Sequence, residues 1–172
     1  MNTLRWTAAN EVVFGLLALI WLACGVIAAE DSSLSVALTG LDGEKSTLTL
    51  PELDTLPRVK LSANQHGAPH VFEGALLGDV LAKVGAPSGK GIRGAELADV
   101  VIIEARDGYK VALDLAGIDP AMRADHRVIL ADRMDGSPLD ANIGPFQLVV
   151  EGDLRPARAV RMVSAIRLER VR

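Results

Sequence analysis

The chain has 172 residues, with 18 Lys+Arg against 22 Asp+Glu for a net charge of −4. That mild acidity argues against a nucleic-acid partner or an anionic membrane surface, and three Phe, one Tyr and two Trp are too few to build stacking platforms for bases or sugars. The single cysteine, Cys24, excludes an internal disulfide.

Residues 1–29 read as an address. Met1 to Asn10 is polar with one positive charge, Arg5, and Val12 to Ala29 is almost wholly apolar, "VVFGLLALIWLACGVIAA". About 18 apolar residues can span a bilayer or form the apolar region of a secretory signal. The run stops at Val26-Ile27-Ala28-Ala29 and then turns acidic. Val26 and Ala28 suit signal peptidase, and no Lys/Arg cluster follows to stop transfer. The expectation is a signal peptide cleaved after Ala28 or Ala29, with an uncleaved anchor as the alternative. Residues 30–172 then form one domain, long enough for a proper core.

Trp21 stands three positions before Cys24, where a lipoprotein signal carries a Leu-like residue, so lipid attachment is not expected. In every case Cys24 stays out of the folded domain. Without a twin arginine the route is Sec-type threading of an unfolded chain in a bacterium, so any cofactor is acquired outside. The expected location is the periplasm or the exterior, with membrane contact only through the amino-terminal segment if it is uncleaved. Losing residues 1–29 removes Arg5, Glu11 and both tryptophans, leaves the net charge unchanged, and leaves Phe72, Tyr109 and Phe146 as the aromatics.

Along the remaining chain, "LSVALT" alternates as a strand over Leu34–Thr39, and "LDGEKSTLTL" adds an Asp-Gly turn and a second strand, a hairpin. "LPELDTLP" is a helical turn with Pro51 at its start and Pro57 at its end. "RVKLSA" is a strand and "NQHGAPH" a loop. "VFEGALLGDVLAKVGAP" gives a short strand, a Glu-Gly turn and a helix over Leu77–Val84, capped by Gly85. "SGKGIRG" is a flexible connection. "DVVIIEA" is the most apolar strand and is expected to be central, with both faces buried. "RDGYKVAL" passes through an Asp-Gly turn into a strand, "LAGIDPAM" is a helical turn, and "RVILADR", "FQLVVEG" and "SAIRLERV" are strands. The sum is an α+β domain weighted towards β: a strand-rich mixed sheet or barrel-like core with short helices.

Three stretches carry a resemblance when taken in order: "FEGALLGDVLAKVGAP", "VVIIEARDGYKVALDL" and "VILADRMDGSPLDANIGPFQLVVEGDLRPARAVRMVSAIRLERV". The helix after a Phe-x-Gly turn, the tyrosine after the apolar strand and the "DGxPL…GP…LVV" run resemble the molybdopterin-binding domain of the sulfite oxidase family, in particular its small exported single-domain members. The resemblance spans Val71 to Val171. It implies a strand-rich α+β fold cradling a pterin-bound molybdenum on a cysteine thiolate, with Tyr109 at the position of an active-site tyrosine. The ligand cysteine should fall near "SANQHGAPH", and this sequence has none there. Arg93, Arg133 and Arg161 are candidates for pterin-phosphate contacts by residue type.

The candidate site residues are therefore Tyr109 as catalytic group, with His66, His70, Phe72, Asp107, Tyr109 and Arg161 as cofactor-binding. His66 and His70 are also a possible metal or haem pair, although Gly67 and Pro69 between them argue against a shared helical face. "RDGYK" has two readings, a plain turn with Tyr109 at the core edge or a pocket wall with a phenol donor and a carboxylate acceptor. Asp132, Arg133 and Asp135 in "DRMDGSPL" read as a charged turn, and Gly144-Pro145 as a tight approach of the chain. Arg155, Arg158 and Arg161 are solvated arginines or an anion-facing patch, and His126 has no assigned role. No nucleophile elbow, Gly-rich phosphate loop or Cys-x-x-Cys is present. Three functions remain open. The first is an exported module that binds a small-molecule ligand or a redox partner protein in the periplasm without the usual molybdenum ligand. The second is a small periplasmic molybdopterin-dependent oxidoreductase. The third is haem or metal binding through His66 and His70.

Overall fold

Alternating residues build the first strand, β1 (Ser35–Thr39), which buries Val36 and Leu38. The Asp42-Gly43 turn returns it as β2 (Lys45–Thr49), an antiparallel pair with Ser35 opposite Thr49. Helix α1 (Leu50–Asp54) follows, and the Glu52 carboxylate accepts from the Thr49 N–H at 2.8 Å, satisfying one of the donors a helix start leaves open. This is a computed structural model. It describes residues 34–65, 67–123 and 126–171, all within the compact unit Asp31–Arg172. The expected signal peptide and Cys24 lie outside the described residues.

The chain continues as β3 (Arg58–Gln65), β4 (Ala68–Leu76), α2 (Leu77–Ala82), β5 (Asp99–Ala105), β6 (Lys110–Asp114) and α3 (Leu115–Ile118). Then come β7 (Val128–Met134), the two-residue β8 (Ser137–Pro138), β9 (Gln147–Val150) and β10 (Val163–Arg170). One sheet has the order β2-β1-β10-β5-β6, and the other has β3-β4-β7-β8 with β9 also on β7. The first sheet is mixed, because β10 runs parallel to β1 and antiparallel to β5. This is the strand-rich α+β fold with short helices that the sequence predicts, its strands divided between two sheets.

Three local expectations change. "NQHGAPH" is not a loop: Asn64 and Gln65 end β3, Ala68 to His70 begin β4, and Gln65 pairs with Ala68 across a two-residue turn. Gly67, at φ +84°, gives the left-handed backbone that such a turn needs. Glu73-Gly74 is not a turn either. β4 runs straight through it with a bulge against β7, and a Cβ on Gly74 would lie 2.1 Å from the Leu130 carbonyl oxygen. Glycine is there for close approach of two backbones. Finally, β5 buries Val101, Ile103 and Ala105 but leaves alternate residues half-buried. The strands covered on both faces are β7 and β9: Val128, Leu130, Leu148 and Val150 enter the main core, while Ile129, Ala131 and Val149 enter a second cluster. Apolar content alone does not separate the two cases.

The main core lies where Val36, Leu38, Val101, Ile103, Ile166 and Leu168 of the first sheet cluster with Ala75, Leu130, Leu148 and Val150 of the second. Helix α2 adds Leu77, Val80 and Leu81. It ends at Ala82, two residues before its predicted end, and Gly85 takes the predicted left-handed cap at φ +71°.

Candidate functional site

The Asp107-Gly108 turn that joins β5 to β6 is held from three directions. Gly108 has φ +86°, the Gly108 N–H donates to the Ala105 carbonyl at 3.0 Å, and the Arg106 N–H donates to the Met162 carbonyl at 3.0 Å. Within the turn an Asp107 oxygen accepts from the Tyr109 N–H at 3.0 Å. The turn therefore presents Asp107 and Tyr109 side by side at the end of β5. The segment between β9 and β10 runs over them, and the Tyr109 hydroxyl donates to the Ala157 carbonyl at 2.7 Å.

These pieces enclose a cavity of about 250 Å³. Its walls are Ala105, Asp107 and Tyr109 from the β5–β6 turn, and Pro156, Ala157, Ala159 and Arg161 from the overlying segment. Gln65 at the end of β3 and Gln147 at the start of β9 also line it, 8% and 2% exposed. The Gln147 Nε2 donates to the Gln65 Oε1 at 3.0 Å, and the buried Gln147 Oε1 has no partner among the described residues.

Of the predicted site residues, the cavity brings together Asp107, Tyr109 and Arg161. It does not include His70 or Phe72. Phe72 is 1% exposed in the second apolar cluster, edge-on to the His70 ring, and serves as core. His70 lies on β4 opposite Ala63, and its Nδ1 contacts an Asp135 oxygen at 2.7 Å. That hydrogen bond, and then the one from the Val71 N–H, hold the Asp135 carboxyl below its ordinary value. Asp135 takes a left-handed backbone, φ 52°, and its own N–H donates to the Val71 carbonyl, so the charged turn clamps β4. His66 lies outside the described residues, and among those described no group of three or more His, Cys, Asp or Glu could hold a metal ion.

The three carboxy-terminal arginines do not form one patch. Arg161 lines the Tyr109 cavity and makes no hydrogen bond or ion pair among the described residues. Arg158 is paired with Asp153, which raises its pKa, and lines a second cavity together with Asp114 and His126. Arg155 is exposed, as is Arg93. Arg133 stands 3.7 Å from Asp132, whose other oxygen meets Arg58. Neither Arg93 nor Arg133 lines the cavity. Gly144 is packed as expected: a Cβ there would meet the Leu139 Cβ at 2.9 Å, and the Gly144-Pro145 bond is cis. Gln65 and Gln147 are the residues that the sequence reading missed. The signal was an amide at the head of the apolar run "FQLVV", since a buried amide needs a partner.

The donor set decides whether a pterin-bound molybdenum fits. Among the described residues the wall offers carboxamides, a phenol, a carboxylate and one guanidinium, and no thiol. The volume is below the roughly 300–1,000 Å³ usual for drug-sized ligands. Arg161 is the only cation among the described residues that line the cavity, too little for an anionic pterin phosphate. These residues do not fit a thiolate-ligated molybdopterin.

No family model matches the sequence, and no curated protein matches it. The structure has the fold of part of a known enzyme. It is similar to a chain of the crystal structure of the sulfane dehydrogenase SoxCD from Paracoccus pantotrophus, with a TM-score of 0.58 and 17% identity. The match covers 78% of this chain and 38% of that chain. The likeness to SoxCD is one of fold.

Proposed function

We propose that the protein is an exported binding module built on a sulfite oxidase-type molybdopterin-binding domain, without the family's thiolate-ligated molybdenum. It holds a small-molecule ligand, or a group presented by a redox partner protein, in the periplasm. The observation that carries this reading is the cavity. It is lined by Asp107 and by Tyr109, the tyrosine to which the family resemblance points, and among the described residues its wall is polar and thiol-free. The fold likeness to SoxCD supports the domain type, and the apolar run ending at Ala28-Ala29 supports export.

The test uses protein purified from its native compartment, with molybdenum, iron and zinc measured and the visible spectrum recorded. A colourless protein free of stoichiometric metal is the expected result. One molybdenum per chain would overturn the proposal in favour of a molybdopterin-dependent oxidoreductase with Tyr109 at the reacting centre. A Soret band abolished by His66→Ala or His70→Ala would overturn it in favour of haem binding.

A further inference from the structure

The Tyr109 cavity has an amide floor and a rim with one charge of each sign. On the floor, Gln147 gives its Nε2 to Gln65, so its Oε1 is left as an acceptor. That oxygen is fully buried and accepts nothing from the described residues. An oxygen with no accessible surface is out of reach of an occupant, so recognition falls to the groups at the rim. The backbone on either side is fixed: β9 pairs with β7, and the Leu148 N–H donates to the Val160 carbonyl at 2.8 Å.

At the rim, Asp107 and Arg161 are the only charged residues among the described residues that line the cavity. A simple anion would meet repulsion from Asp107, and a simple cation from Arg161. A molecule carrying both charges satisfies both groups. We infer that the cavity binds a small zwitterion of the amino-acid type, with one protonated amine and one acid group. This rests on the binding-module reading and names its ligand class.

The test is isothermal titration calorimetry of the full chain with glycine, β-alanine and 4-aminobutyrate, against propionate and propylamine as the separate halves. At least one zwitterion should bind ten-fold or more tightly than either half. Arg161→Ala, at an exposed position, and Asp107→Asn, which keeps an acceptor for the Tyr109 N–H, should each weaken it at least ten-fold. Propionate or propylamine binding as tightly as the zwitterions would overturn the ligand class while leaving a binding module in place. Zwitterion binding untouched by both variants would overturn the site. No binding by any of the five would overturn the inference, while the module reading stands or falls separately on the metal content and spectrum.

Discussion

Asp135 does three jobs with one side chain and one peptide unit. It accepts from the Val71 N–H at 2.9 Å, meets His70 at 2.7 Å and turns the chain at φ 52°. Its carboxyl is held below the ordinary value of 3.8, first by the His70 hydrogen bond. A carboxyl more acidic in the folded than in the unfolded chain stabilises the fold above its unfolded value. That contribution is lost as the pH falls through the lowered one. Asp135→Asn tolerates the same backbone and retains an acceptor for Val71, but it lacks the titration. Chemical denaturation should therefore show the wild type more stable near neutrality, with the gap closing between about pH 5 and about pH 2. A gap constant across that range would show that the charge is not what Asp135 contributes. Asp107 and Tyr109 were legible because an Asp-Gly turn is a local signal. Gln65 and Gln147, 82 positions apart, were not, because nothing local announces that two amides will meet.

Among elements, β4 departs most from its sequence pattern. Glu73-Gly74 has turn composition yet lies inside a nine-residue strand. Composition reports what a residue permits. Here the permission is used for close approach, with the Leu130 carbonyl where a side chain would be. Gly74→Ala should cost about 3 kcal/mol, the upper part of the range for overpacking, because backbone atoms cannot step aside as side chains do. Gly78, four residues later in helix α2, has nothing within 4 Å of its would-be Cβ. Gly78→Ala should add up to about 1 kcal/mol through helix propensity. Urea midpoints of the two variants moving in the same direction would refute this account of Gly74. Alternation and caps made most other elements legible, since β1, β2, α1, β6 and β10 are each fixed by residues within a few positions.

For the whole molecule, the decisive pairing is the least local. β1 and β10 lie side by side with Ala37 opposite Ala165, and no short window of sequence signals a strand partner so far along the chain. The strand-rich α+β class was readable from patterning, while the division into two sheets was not. β10 also buries Val163, Ile166 and Leu168 and ties its end through Arg170, which makes paired hydrogen bonds to the fully buried Asp99 at 2.6 and 2.9 Å. At roughly 1.5–3 kcal/mol for each buried apolar side chain, those three alone rival the 5–15 kcal/mol by which a domain is usually stable. A chain truncated before Val163 should show no cooperative thermal transition by circular dichroism. A sharp transition in that variant would mean that the first sheet survives without its middle strand.

The place of β10 between β1 and β5 also has a consequence during synthesis. While residues 163–170 are still inside the ribosome, the first sheet exists only as two separate hairpins, β1-β2 and β5-β6. Isolated hairpins are marginal in water. The nascent chain thus cannot complete its first sheet until residues 163–170 have been made, although every strand of the second sheet precedes them.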